Sequence, residues 1–155
     1  MKEKTVCFTG HRKIPPEELP VVSQRLRNVL VDCIKQGYLY FVAGGALGFD
    51  TLAEQTVLAL KKEYAIIKLI LVLPCSEQTN GWSDEDIQEY ERIKNEADKV
   101  VYTADHYFRG CMHKRNRHIV DNSCLCVCYL TKCKGGTAYT VDYASKNGLK
   151  IVNLA

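Results

Sequence analysis

The chain has 155 residues, of which 46% are hydrophobic and 25% charged, so we expect one ordinary globular domain over residues 1–155. Its formal net charge of +3 is too small for a dedicated nucleic-acid binder with a strongly basic face. No apolar segment has the length of a secretory signal or of a membrane span, so we expect a soluble, cytoplasmic protein without a membrane partner.

Strand and helix patterns alternate along the whole chain. Short apolar runs predict the strands, and helical spacing with capping signals predicts the helices. The predicted elements are strand Thr5–Thr9, a helix that starts at Pro15–Glu18 and stops at Gly37, strand Tyr38–Ala43, helix Thr51–Lys62, strand Ile66–Leu73, helix Asp84–Ala97, strand Lys99–Tyr102, helix Cys111–Asn122, strand Cys124–Leu130, helix Thr137–Asn147 and strand Ile151–Leu154. Continuous apolar strands that alternate with helices indicate an α/β protein with a parallel sheet covered on both faces.

Glycine-rich turns follow several of these strands, and ligands of parallel sheets bind outside the carboxyl ends of the strands. The residues of interest in these turns are Gly10 and Arg12 after the first strand, Gly44, Gly45, Gly48 and Asp50 after the second, and Gly135, Gly136 and Thr137 after the strand at 124–130. Backbone N–H groups at such turns attract phosphate, because glycine leaves room for it. The turns match neither the dinucleotide fingerprint nor the P-loop pattern, and we predict a site for an anionic ligand.

Three polar residues near these turns have two interpretations each. Asp50 is either the N-cap of the next helix or a carboxylate that accepts hydrogen bonds from ribose, and both roles can hold together. Arg12 either clamps a phosphate or is solvated, whereas His11 is expected to form a hydrogen bond within its loop. Asn116 falls on the inward stripe of its helix, flanked by Arg115, so its partners are either neighbouring backbone or a ligand.

Trp82, the single tryptophan of the chain, lies in a polar loop. It either forms a lid that stacks on a base or pins the loop to the core. The eight cysteines include no CxxC pair, so we predict neither a disulfide framework nor a metal site, and we expect no cofactor. Cys124, Cys126 and Cys128 alternate, which is typical of small apolar side chains on one face of a central strand.

Four segments together resemble a known family in the same order along the chain. The segments CFTGHRKIP, GGALGFDTLAEQ, MHKRNRHIVDNSC and KGGTAYTVDYA are similar to the YpsA-like branch of the SLOG superfamily, and so is the pair Gln78 and Trp82 after the third strand. This superfamily unites DprA/Smf DNA-processing proteins with LOG-type phosphoribohydrolases. The resemblance covers nearly the entire chain and implies a Rossmann-like three-layer sandwich with a mostly parallel central sheet. The binding residues that it implies are Gly10, Arg12, Gly44, Gly45, Gly48, Asp50, Arg115, Asn116, Gly135, Gly136 and Thr137.

The chain departs from the LOG motif PGGxGTxxE, in which the glutamate serves hydrolysis. Lys134 replaces the proline of that motif, the second Gly-Thr pair is absent, and the acidic residue is Asp142. DprA-type proteins usually carry additional domains, for which a chain of 155 residues has no room.

These observations lead to one predicted function and two alternatives. We predict that the chain binds a nucleotide or an ADP-ribose-like molecule, as a sensor or regulatory protein, and the sequence leaves a homo-oligomer open. The first alternative is an N-glycoside hydrolase acting on a nucleoside monophosphate, with Asp50, Glu54 or Asp142 as its carboxylate. The second alternative is single-stranded DNA binding of the DprA type, through His113–His118 and Trp82.

Overall fold

A single sheet of six parallel strands forms the centre of the computed structural model, which describes residues 1–155. After a short 3-10 turn at Lys2–Lys4, the elements are β1 (Thr5–Gly10), α1 (Leu19–Lys35), β2 (Tyr40–Ala43), α2 (Phe49–Lys61), β3 (Lys68–Leu73), α3 (Asp84–Glu96), β4 (Lys99–Tyr102), α4 (Cys111–Asp121), β5 (Leu125–Tyr129), α5 (Gly136–Lys146) and β6 (Lys150–Asn153). The α/β class and the alternation of elements predicted from the sequence are confirmed.

The order of the strands across the sheet is β4-β3-β2-β1-β5-β6. The chain therefore builds outward from β1 to β4 and then crosses back to place β5 on the other side of β1. In the register, Val6 of β1 lies between Phe41 of β2 and Leu125 of β5. The direction of winding reverses between β1 and β5, and ligands of doubly wound sheets bind at such a switch point.

Helices cover the sheet on both faces, which explains why the strands are apolar at consecutive positions. Side chains such as Phe8, Phe41 and Val127 point to the larger core, which α1, α2 and α3 close. The intervening positions point to a smaller core under α4 and α5. Cys126 and Cys128 are buried in this smaller core, which confirms for these two cysteines their prediction as small apolar side chains of a strand inside the sheet.

The predicted start of the first helix is wrong by several residues. The segment after Pro15 forms a turn, in which the Pro15 carbonyl accepts hydrogen bonds from the N–H groups of Glu18 and Leu19 at 2.9 and 3.1 Å. Regular helix begins only at Leu19, with Pro20 in its first turn, where a missing N–H costs no intrahelical bond. None of the helices combines the length and the apolar character that crossing a membrane requires.

Candidate functional site

A cavity of about 340 Å³ opens at the carboxyl edge of the sheet, between the turns that follow β1 and β5. This is the switch point of the fold. We call it the switch-point cavity. Its walls come from the end of β1 and the following turn, the start of α2, the first half of α4 and the start of α5. The lining residues are Thr9, Gly10, His11, Arg12, Ala46, Asp50, Met112, His113, Arg115, Asn116, Lys134, Gly135, Gly136 and Thr137.

The start of α5 forms the open wall of this cavity. Gly135, with φ of 107°, precedes the helix, and no side chain caps it. A Cβ atom added at Gly135 or Gly136 would meet no atom within 4 Å. The N–H groups in the first turn of a helix have no intrahelical partner, and they carry the positive end of the helix dipole. This wall can therefore accept an anion.

The charge around the cavity is positive. Arg12 and Lys134 are exposed, and neither takes part in an ion pair. Asp50 is the one carboxylate of the lining. Asn116 contributes its amide: its Oδ1 accepts a hydrogen bond from Arg115 Nε at 2.7 Å, which leaves its NH₂ group available to a ligand.

The glycines of the turn after β2 have internal roles instead, and Gly44, Gly45 and Gly48 do not line the cavity. A Cβ atom at Gly44 would lie 2.5 Å from the Arg115 guanidinium, and one at Gly45 would lie 2.6 Å from Leu73. The Gly44 carbonyl accepts hydrogen bonds from Arg115 and Gln78. The N–H of Gly45 donates to Glu54 Oε2 at 2.9 Å, so the protein itself occupies these groups.

One interpretation predicted that Asp50 is the N-cap of α2, and this is wrong. The helix begins one residue earlier, at Phe49, and Gly48 is its N-cap with φ of 78°. The Asp50 carboxylate instead accepts a hydrogen bond from the Ala46 N–H at 3.3 Å, behind it in the chain. The Gly44 N–H also stabilises this carboxylate and lowers its pKa, and Asp50 lines the cavity although it is only 7% exposed.

Asp142 lies outside the cavity. It is exposed on α5, and its carboxylate forms an ion pair with Lys146 at 2.9 Å. Glu54 lies behind the cavity wall, 3% exposed, with its carboxylate bound to the Gly45 N–H. Of the three carboxylates considered for catalysis, Asp50 therefore reaches the space that a ligand would occupy.

Two carboxyl groups and one guanidinium are buried together beside the cavity. Burial raises the pKa of Asp50, and the nearby Arg115 charge opposes this shift. Burial raises the pKa of Glu54 well above its usual range, and the negative charge of Asp50 raises it further. Burial also lowers the pKa of Arg115, which is 4% exposed. Burial of the two carboxylates therefore carries an electrostatic cost, and the positive charge of Arg115 partly offsets it.

His11 connects the two turns that form the cavity. Its Nε2 accepts a hydrogen bond from the Thr131 N–H at 2.9 Å, and its ring lies edge-on to Tyr129. Burial and the neighbouring Lys132 charge lower the pKa of His11, which favours the neutral ring that this bond requires. His11 therefore forms a hydrogen bond as expected, but its partner lies in the turn after β5 and not in its own loop.

Trp82 lines a second cavity of about 490 Å³, which we call the Trp82 cavity. This cavity shares Arg12 and Met112 with the switch-point cavity, so the two spaces are neighbours. The indole ring lies edge-on to Tyr90, with the ring centroids 5.5 Å apart. Trp82 is therefore beside the switch-point cavity and not in it.

The sequence analysis gave Met112 and Lys134 no part in the anion site, and it considered His113 only as part of a nucleic-acid contact over His113–His118. His113 precedes Asn116 by three residues and so shares its helix face, which was a usable signal. Lys134 directly precedes the glycine pair Gly135–Gly136 in the turn after β5. Its position next to an uncapped helix start was the signal that could have identified it.

The sheet order and the site at its switch point define a Rossmann-like α/β protein. The chain belongs to the YspA SLOG family, whose YpsA sequence profile matches residues 7–151.

Relatives of this chain occur in Bacillus species. The uncharacterized SPbeta prophage-derived protein YoqJ of Bacillus subtilis (strain 168) is 32% identical over an alignment of 127 positions, and the match covers 74% of each chain. A UPF0398 protein of Bacillus thuringiensis (strain Al Hakam) is 26% identical over an alignment of 162 positions, which covers 94% of this chain and 84% of its own. The resemblance to the YpsA-like branch of the SLOG superfamily is thereby confirmed.

Two solved structures share the fold. DNA processing protein A from Helicobacter pylori, described for its single-stranded DNA binding mode, superimposes with a TM-score of 0.67 at 22% identity and covers 96% of this chain. This chain spans 64% of the length of that protein. The X-ray structure of TM1055 superimposes with a TM-score of 0.60 at 22% identity, over 95% of this chain and 71% of its own. The likeness to both structures is one of fold.

Proposed function

We propose that the chain binds a nucleotide or a nucleotide-derived molecule such as ADP-ribose in the switch-point cavity, as a sensor or regulatory protein. The observation that supports this proposal is the uncapped start of α5 facing the cavity beside two cations, Arg12 and Lys134, that have no ion-pair partner. Helix N-termini with open glycines bind phosphate groups, and free arginine and lysine side chains strengthen such sites.

The remaining polar groups fit the other parts of a nucleotide. Asp50 lines the cavity, and its carboxylate is the group there that can accept a hydrogen bond from a ribose hydroxyl. The Asn116 amide and the Thr137 hydroxyl offer further hydrogen bonds at the same wall. Binding is favoured over hydrolysis, because Asp142 is paired with Lys146 on the surface and Asp50 has no second carboxylate in the cavity.

Calorimetric titration with AMP and with ADP-ribose tests this proposal. We expect saturable binding that Arg12→Ala and Lys134→Ala each weaken about tenfold to a hundredfold, because each variant removes a hydrogen bond to a charged group. Lys62→Ala is the matched control, since Lys62 is exposed at the far end of α2, at the opposite edge of the sheet. Absence of binding by the unmodified protein, or equal losses in all three variants, would refute the proposal.

Single-stranded DNA is a second candidate ligand, favoured by a third cavity of about 880 Å³. This cavity shares His11 and Arg12 with the switch-point cavity, and its lining also includes Lys13 and Lys132. Together with Lys134, these cations form a basic stretch along the rim of the sheet. The fold is shared with a protein described as binding single-stranded DNA.

Fluorescence anisotropy with a labelled oligonucleotide separates the two candidates. If the rim binds a strand, affinity should fall steeply with salt, and Lys13→Ala and Lys132→Ala should each lower the slope of log affinity against log salt by about 0.7. The same two variants should leave AMP binding unchanged, because neither residue lines the switch-point cavity. Oligonucleotide binding that does not respond to salt would exclude this candidate.

A further inference from the structure

We infer that the Trp82 cavity receives the base of the ligand, so that the molecule bound is a nucleoside phosphate with its phosphate at α5 and its base against Trp82. This inference rests on the proposed function and adds the ligand's second half. Two aromatic side chains that line this cavity, Trp82 and Tyr107, would form the base subsite.

The connection between the two cavities gives the ligand a path. Arg12 and Met112 line both spaces. A molecule with an anionic end at Gly135–Thr137 and a planar end near Trp82 would therefore pass along Arg12. The guanidinium can then contact phosphate on one side and the planar ring on the other, since arginine both pairs with anions and stacks on π systems.

Trp82 is held in place before any ligand arrives. Its backbone N–H donates a hydrogen bond to the Thr79 carbonyl at 3.0 Å, which closes the turn around Gly81. The next residue, Ser83, caps α3 by accepting a hydrogen bond from the Asp86 N–H at 3.1 Å. The indole edge contact with Tyr90 fixes the ring from one side. A preformed aromatic surface lowers the entropy cost of binding a planar ring.

The lining of the Trp82 cavity includes a second aromatic side chain. Tyr107 lines the Trp82 cavity and is 62% exposed, although its backbone is fixed by a hydrogen bond from its N–H to Glu77 Oε1 at 2.7 Å. Asn80 lines the same cavity with an amide that bonds to no other protein side chain. An amide offers both a donor and an acceptor to the edge of a base. Stacking plus one amide is a sequence-tolerant way to hold a nucleobase.

The aromatic residues on the other side of the switch-point cavity are less suited to this role. Tyr139 packs against His113, with ring centroids 4.5 Å apart, and against Tyr143 at 6.5 Å. Its hydroxyl also accepts a hydrogen bond from Arg117. Because Tyr139 already has protein partners on several sides, the base should lie toward Trp82.

Comparison of AMP with ribose 5-phosphate isolates the contribution of the base. We expect AMP to bind about tenfold to a hundredfold more tightly than ribose 5-phosphate, the gain typical of one stacked base. Trp82→Leu should bring this ratio close to one while leaving the affinity for ribose 5-phosphate unchanged. Tyr139→Leu is the matched control, since Tyr139 is 41% exposed on the opposite flank, and it should preserve the ratio.

Intrinsic fluorescence gives a second readout on the unmodified protein, because Trp82 is its single tryptophan. AMP should change the emission of Trp82, and ribose 5-phosphate should not. The inference is overturned if both ligands bind equally, if Trp82→Leu keeps the ratio, or if Tyr139→Leu abolishes it. If neither ligand binds the unmodified protein, the proposed function itself fails, which is a different result from binding without discrimination.

Discussion

Replacing Gly48 with alanine should lower the free energy of unfolding by about 2–5 kcal/mol, because it combines backbone strain with a clash against the main chain. Gly48 has φ of 78° and ψ of −118°, a conformation that glycine populates far more readily than other residues. An added Cβ would lie 2.3 Å from the carbonyl carbon and oxygen of Arg12. Neither atom can move as a flexible side chain would, so relief requires a shift of the backbone.

The matched control for this prediction is Gly37→Ala. Gly37 also has a positive φ, of 100°, but a Cβ there would meet no atom within 4 Å. It should cost about 1 kcal/mol, which is the strain without the clash. Urea unfolding of the two variants and the unmodified protein measures the difference. Equal losses for Gly48→Ala and Gly37→Ala would show that the close approach of the two turns does not matter for stability.

The packing at Gly48 also explains what the turn after β2 contributes to the site. The Phe49 N–H donates to the His11 carbonyl at 3.1 Å, so the turn after β1 is bound directly to the start of α2. This contact holds the backbone of Arg12 at the cavity. The glycines at 44–48 thus build the site from behind, and the open wall belongs to the turn at 134–137.

The sequence predicted the elements well because each depends on local patterns. The strand at Lys99–Tyr102 and the helix start at Cys111 are observed at the predicted residues. Side-chain periodicity and turn residues carry that information within a few positions. The start of α1 was missed because Pro15 and Pro16 suit a helix start and a preceding turn equally well.

The roles of the glycine turns could not be predicted in the same way. The atoms that crowd Gly44 and Gly45 belong to Arg115 and Leu73, which are distant in the chain. A glycine that makes room for a ligand and one that makes room for a protein side chain look identical in a sequence. Neighbouring residues of a helix are also hard to distinguish in a sequence. The periodicity placed Asn116 on the inward face of α4, but the structure buries Arg115 more deeply than Asn116.

Replacing Arg115 with methionine should lower the free energy of unfolding by about 3–5 kcal/mol at neutral pH, because it removes the positive charge buried near two carboxyl groups. Arg115 is 4% exposed, and Asp50 and Glu54 are 7% and 3% exposed. The Arg115 charge lowers the pKa of both carboxyl groups against the effect of burial. Arg25→Met is the matched control, since exposed Arg25 also donates to a backbone carbonyl, that of Leu154 at 3.0 Å, and it should cost less than about 1 kcal/mol.

The pH dependence of this loss follows from the raised pKa of Glu54. Its folded-state pKa lies well above the ordinary value of 4.5, so the folded protein retains a proton that the unfolded chain has released. The stability contributed by this group is therefore complete below the unfolded pKa and is lost as pH rises toward the folded one. Without Arg115 the folded pKa rises further, so the cost of Arg115→Met should be smaller at acidic pH, near the unfolded value, and larger at alkaline pH, above the folded pKa of Glu54.

Glu54→Gln tests whether this electrostatic account is correct, because glutamine retains the oxygen that accepts the Gly45 N–H and has no charge to bury. The single variant should gain stability as pH rises relative to the unmodified protein. Combined with Arg115→Met, it should recover about 1 kcal/mol or more of the loss, a coupling expected of neighbouring charges. Urea unfolding of the four proteins at acidic and at alkaline pH completes the cycle. If Glu54→Gln leaves the cost of Arg115→Met unchanged, Arg115 stabilises the fold by packing and hydrogen bonding with Gly44, and not by neutralising the carboxyl groups behind the cavity.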